Sequence, residues 1–107
     1  MKYSIYFAAK ARQDLNEIAV AVYNLSKDKT VTRNVISDVK NAVTQLADFP
    51  LSGKLPIDRN LLSLGYRYLI ERDYLIFYSI DETKNRVLIN AVVNGKTDYV
   101  SKIINEI

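Results

Sequence analysis

The sequence predicts an α+β domain in which a small antiparallel sheet carries a helical hairpin on one face, in the order β-α-α-β-β-β-α. Three observations lead there. A short alternating segment opens the chain, two long stretches of helical period follow, and three aromatic, β-branched runs with short links come after them. The 107 residues fit a single domain, assigned to residues 1–107. With 49% hydrophobic and 25% charged residues, the chain has the composition to bury a core.

Each element has its own signature. In the first segment Tyr3, Ile5 and Phe7 fall on one side, the period of two that marks a half-buried strand. From Ala8 the period changes. Ala11, Leu15, Ile18, Val22 and Leu25 recur at helical spacing over residues 8–25. Lys10, Arg12, Asp14, Asn16 and Glu17 fall mostly off that stripe, and Asp14 with Glu17 reads as a pair of solvent-facing charges. After a polar link, Val35, Val39, Ala42, Val43 and Leu46 predict a second helix over residues 31–48. Phe49-Pro50 ends it, because proline lacks the N–H the ladder needs. Two amphipathic helices so closely linked form an antiparallel hairpin.

Residues 50–62 contain both prolines and Gly53 and keep no period, so they read as one long loop with a helical turn near Leu61. Strands are expected at residues 65–70, 74–80 and 86–93. Their links suit hairpins, hence an antiparallel meander. The second and third of these runs are apolar on both faces, which predicts helices on one side and further cover on the other. Tyr99, Ile103 and Ile107 at i, i+4 and i+8 predict a short closing helix over residues 98–106.

Composition narrows the chemistry. There is no cysteine and no histidine, so there is no disulfide, no thiol nucleophile, no imidazole base and no common zinc ligand. No carboxylates sit at metal-ligand spacing on one helix face, and no glycine-rich phosphate loop occurs. No metal and no cofactor are expected. Neither a signal peptide nor a run of membrane-spanning length is visible, so the expected location is the cytoplasm, with no membrane partner.

The remaining candidate site is basic and aromatic: Lys54, Arg59, Arg67, Arg72, Tyr74, Tyr78, Lys96 and Tyr99. Guanidinium forks can clamp phosphates, tyrosine rings can stack on bases, and both can face an acidic protein. Tyrosine packing and protection of strand edges are the competing readings for the same residues. The formal charge of +3 favours an acidic partner.

Several stretches resemble the RelE/ParE toxin superfamily of bacterial type II toxin–antitoxin modules. They are Ala11-Arg12-Gln13-Asp14-Leu15-Asn16-Glu17-Ile18, Leu46-Ala47-Asp48-Phe49-Pro50 with Gly53, and Gly65-Tyr66-Arg67-Tyr68-Leu69. Tyr74-Leu75-Ile76-Phe77-Tyr78 and Val93-Asn94-Gly95-Lys96 complete the set. The resemblance implies a growth-inhibiting toxin neutralised by a cognate antitoxin. In the nuclease branch, which cleaves mRNA on the ribosome, Arg67 and Tyr99 would be the catalytic residues. Three positions where that branch carries a basic side chain hold Leu69, Leu75 and Thr97 here. In the ParE-like branch, which binds DNA gyrase, the exposed hairpin with Arg59, Arg67 and Arg72 would make contacts and nothing would be catalytic. The absent histidine and the lost cations favour gyrase binding, with ribosome-dependent endoribonuclease activity as the alternative.

Overall fold

The computed structural model describes residues 2–106, in the order β1 (Ser4–Phe7), α1 (Ala9–Ser26), α2 (Lys29–Ala42), a 3₁₀ turn (Val43–Ala47), α3 (Arg59–Ser63), β2 (Arg67–Glu71), β3 (Tyr74–Asp81), β4 (Arg86–Asn94) and α4 (Tyr99–Glu106). The α+β class and the element order are as predicted. No helix is long and apolar enough to cross a membrane among the described residues.

The hairpin is set by its two-residue link. Lys27 ends α1 in the left-handed region at φ 56°, donating its N–H to the Tyr23 carbonyl, and Asp28 caps α2 by accepting from the Thr30 and Val31 amides. The second helix is regular only to Ala42. Beyond it, the Thr44 hydroxyl donates to the Asn41 carbonyl and the Gln45 amide to that of Ala42, side-chain bonds that compete with the α ladder and accompany the tighter turn. Leu25, placed on the buried stripe by its spacing, is 88% exposed. All of Tyr23 to Ser26, the last turn of α1, is exposed.

The sheet order is β1-β4-β3-β2. Strands β2, β3 and β4 form the expected antiparallel meander, but β1 joins β4 in parallel, with Ser4 opposite Arg86 and Phe7 opposite Ile89. The sheet is therefore mixed. The helical hairpin between β1 and β4 acts as the long crossover that parallel neighbours require.

Helices cover both faces. On the hairpin side, Ala11, Leu15, Val39, Val43 and Leu46 pack onto Leu69, Ile76, Tyr78, Val87, Ile89 and Val92. On the opposite side, Leu61 of α3 and Ile103 of α4 close over Tyr66, Phe77, Ala91 and Val93. A bulge lets β4 serve both. The register slips between Phe77 and Tyr78, which pair with Ala91 and Ile89, so Asn90 is the extra residue. Parity reverses there, turning Val87 and Ile89 to the same side as Val92. The Asn90 amide donates to the Ser79 hydroxyl and the Leu88 carbonyl across the irregularity.

Candidate functional site

The candidate residues divide between the two faces of the sheet. Residues opposite one another in an antiparallel pair project to the same side. Arg67 lies opposite Tyr78, and Tyr78 belongs to the hairpin-side core. Tyr99 lies on the other side, its ring 5.6 Å from that of Phe77, which also meets Tyr68 at 5.4 Å. Arg67 and Tyr99, grouped as a catalytic pair under the nuclease reading, are thus separated by the sheet.

Tyr78 and Arg67 act together on the loop after α2. The Tyr78 ring is fully buried, and its hydroxyl donates to the Pro50 carbonyl at 2.8 Å while accepting the Gly53 N–H at 2.9 Å. Beside it, the Arg67 guanidinium donates to the Leu51 and Gly53 carbonyls at 3.3 and 3.1 Å. Its type and its strand place Tyr78 among the binding candidates; in the fold it is a core residue whose hydroxyl both donates and accepts. Arg67 is partly buried, and its Nη1 donates to both backbone oxygens.

The others scatter. The Arg72 guanidinium, in the β2–β3 turn, reaches Asp38 on α2, with its Nε at 3.2 Å. Tyr74 packs toward the hairpin and lines a cleft of about 440 Å³ with Lys10, Asp14, Glu17 and Asn94. Lys96 approaches Asp73 at 4.0 Å on the surface. Lys54 pairs through its backbone with Tyr68, amide to carbonyl in both directions, at the outer edge of β2. Arg59 opens α3. Neither the Lys54 nor the Arg59 side chain meets a carboxylate among the described residues. No group of three or more potential ligands gathers to hold a metal ion among the described residues.

Asp14 departs from the sequence-based expectation. Asp14 is 5% exposed, far from the solvent-facing charge expected of it. Its Oδ2 accepts the buried Val92 N–H at 2.9 Å and its Oδ1 takes the Lys10 ammonium. The signal was present in the spacing: Asp14 stands three residues after Ala11 and four before Ile18, on the stripe itself.

Burial raises the phenols of Tyr66 and Tyr78 above their ordinary 10.0, for Tyr78 against the opposing pull of the Gly53 hydrogen bond and the Arg67 charge. Both groups are neutral in the folded and unfolded chain well below pH 10. As pH rises through 10 the unfolded chain releases these protons first, so stability is expected to fall from there upward. Urea midpoints at pH 8, 10 and 11 check this, and Tyr78→Phe should flatten part of the slope.

Comparison with known proteins agrees with the fold. The structure is similar to a chain of the chromosomal ParDE toxin–antitoxin system of P. aeruginosa, with TM-score 0.70 and 18% identity over 87% of this chain and 96% of that one. It is similar to a chain of the RelBE2 toxin–antitoxin complex of Mycobacterium tuberculosis, with TM-score 0.61 and 24% identity over 88% and 99%. It also resembles a variant of the E. coli toxin RelE in the free state, with TM-score 0.66 and 17% identity over 100% and 99%. No curated protein matches the sequence. Residues 5–99 match the family of ParE toxins of type II toxin–antitoxin systems, parDE. That match spans β1 through the start of α4, and the chain belongs to the ParE toxin family.

Proposed function

We propose that this toxin stops growth by binding DNA gyrase in the cytoplasm, and that a cognate antitoxin holds it inactive. The observation that supports binding over cleavage is the division of Arg67 and Tyr99 between the two faces of the sheet. The two side chains stand on opposite sides of one sheet, so they do not converge on one phosphate. Arg67 also directs its Nη1 to the Leu51 and Gly53 carbonyls. Cleavage of RNA needs a base for the attacking 2′-hydroxyl and cations around the strained phosphate. The chain has no histidine, and its described cations are dispersed. Inhibition by binding needs only a complementary surface.

The antitoxin expected here is acidic, with apolar anchors, to suit the net charge of +3. The test is induction of the toxin without its antitoxin, with mRNA 5′ ends mapped alongside gyrase-linked DNA breaks. DNA breaks with intact mRNA are expected. Codon-periodic mRNA cuts without DNA breaks would overturn the reading. Tyr99→Phe keeps the ring on Phe77, so it should arrest growth as well as the parent chain does.

A further inference from the structure

We infer that Asn94-Gly95, where β4 turns toward α4, is a self-modifying site. The Gly95 nitrogen attacks the Asn94 carboxamide and expels ammonia, and the hydrogen bond from Gly95 to Asp73 is the lock that holds this reaction back in the folded chain. The pair is the one Asn-Gly step in the sequence. Neither gyrase nor antitoxin takes part.

Asparagine is among the thermally labile side chains, and its loss of the carboxamide needs only the backbone that follows it. The next nitrogen gives up its proton and bonds to the asparagine Cγ. The Cγ–Nδ2 bond then breaks, ammonia leaves with the proton, and a five-membered succinimide remains. Water opens that ring at either carbonyl, giving an aspartate or an isoaspartate, the second with an extra methylene in the main chain. Glycine favours the attack, because no β-carbon crowds the nitrogen and the backbone is free to bend toward Cγ.

The turn holds the two reacting groups in opposite states. Asn94 lies opposite Tyr74 at the end of the β3–β4 ladder, and the Gly95 N–H continues that ladder by donating to the Asp73 carbonyl at 2.8 Å. While this bond stands the nitrogen keeps its proton, since removing it would set an anion against a carbonyl oxygen. The carboxamide is primed instead. Asn94 Oδ1 accepts the Lys96 N–H at 2.8 Å, which draws charge from Cγ and would steady the oxyanion formed on attack. Thr97 fastens the same turn, its N–H and hydroxyl both donating to the Asn94 carbonyl at 3.1 and 2.8 Å. Asn94, Gly95 and Lys96 are exposed, so water reaches the site. One backbone bond thus separates a primed electrophile from its nucleophile, and the reaction follows local opening of the strand end, without global unfolding. The mark is one-way. An isoaspartate lengthens the main chain at the residue opposite Tyr74, so Gly95 cannot return to Asp73 in register. Either product adds a carboxylate to the cleft that Asp14 and Glu17 already line.

The experiment incubates the purified chain at mildly alkaline pH, native and in urea, and follows the mass gain at Asn94 by peptide mapping. Amide exchange on the same sample measures how often the Gly95 bond opens. Asn90, followed by Ala91 and carried on the same tryptic peptide, is the internal control. In urea Asn94 should react faster than Asn90. In the native chain its rate should fall about tenfold or more, by the factor that protects the Gly95 amide from exchange. Gly95→Ala, whose β-carbon would meet nothing nearer than 3.4 Å in the fold, should slow the reaction in urea and leave the native melting temperature close to the parent's. A native rate equal to that in urea would overturn the lock. So would a native rate well below the one that Gly95 protection predicts, because a larger opening would then be required. Asn90 reacting as fast as Asn94 in urea would overturn the choice of site. The purified isoaspartate form should melt below the parent, and equal melting would overturn the loosening of the strand end.

Discussion

Gly53→Ala is expected to lower the unfolding free energy by about 3 kcal/mol, the sum of a crowding cost and the loss of buried hydrogen bonds. A β-carbon at position 53 would stand 2.7 Å from Tyr78 Cε1 and 2.9 Å from Cζ, and would also overlap the hydroxyl oxygen. Neither side can yield cheaply. The Tyr78 ring is fully buried in the hairpin-side core, and the loop is held by that ring's own hydroxyl and by Arg67. Whichever moves, the Gly53 N–H or the Pro50 carbonyl is left unpaired. Tyr78→Phe separates the two contributions, since it keeps the ring and removes only the hydroxyl; it should cost about 1–3 kcal/mol. At Gly95 the nearest approach would be 3.4 Å, so Gly95→Ala should cost far less and controls for a general glycine effect. Urea unfolding of the three variants beside the parent chain gives the comparison, and a Gly53→Ala midpoint equal to the parent's would refute it.

Asp14→Ala is expected to cost about 2–3 kcal/mol, the scale of leaving a buried donor unpaired and breaking a partly buried charge pair. The reason lies in the length of β1. It pairs with β4 only as far as Phe7, opposite Ile89, and the Ala8 amide makes the last bond to the Ile89 carbonyl. The chain then leaves the sheet as α1, and the end of β4 is left without a strand on that side. Val92 would have a buried, unpartnered amide there. The Asp14 carboxylate, on the buried stripe of α1, accepts it at 2.9 Å. Glu17, exposed one turn later, should tolerate alanine with little change. Amide exchange separates this account from a general loosening, because the Val92 amide should lose protection in Asp14→Ala more than the Ile76 amide does. Equal protection of Val92 in the variant and parent chains would mean that another acceptor serves it.

The fold was largely legible because most elements follow local rules. The alternation of Tyr3, Ile5 and Phe7, the stripe through Ala11 and Leu15, and the aromatic run from Tyr74 are each properties of neighbouring residues. What escaped was nonlocal. The parallel pairing of Ser4 with Arg86 cannot be seen from either segment alone. Asp14 sits on the buried stripe by spacing, but its charge argued for solvent, and only the unpaired edge of β4 explains its burial. Tyr78 offers the same tyrosine as a surface site until the loop folds over it. Arg67 and Tyr99 could not be assigned to opposite sides before Tyr99 had a helix to ride on and Phe77 to lie against.

The position of β4 between β1 and β3 has a consequence in time. It is the last strand to be synthesised, yet it is the one both neighbours need, and β1 must wait roughly eighty residues of chain for its partner. Contacts so distant in sequence slow folding. Until translation passes Asn94, the hairpin has only part of the sheet to pack on, and the nascent toxin lacks its finished shape. Production of the polypeptide and the appearance of a harmful molecule are therefore two events separated by a folding step.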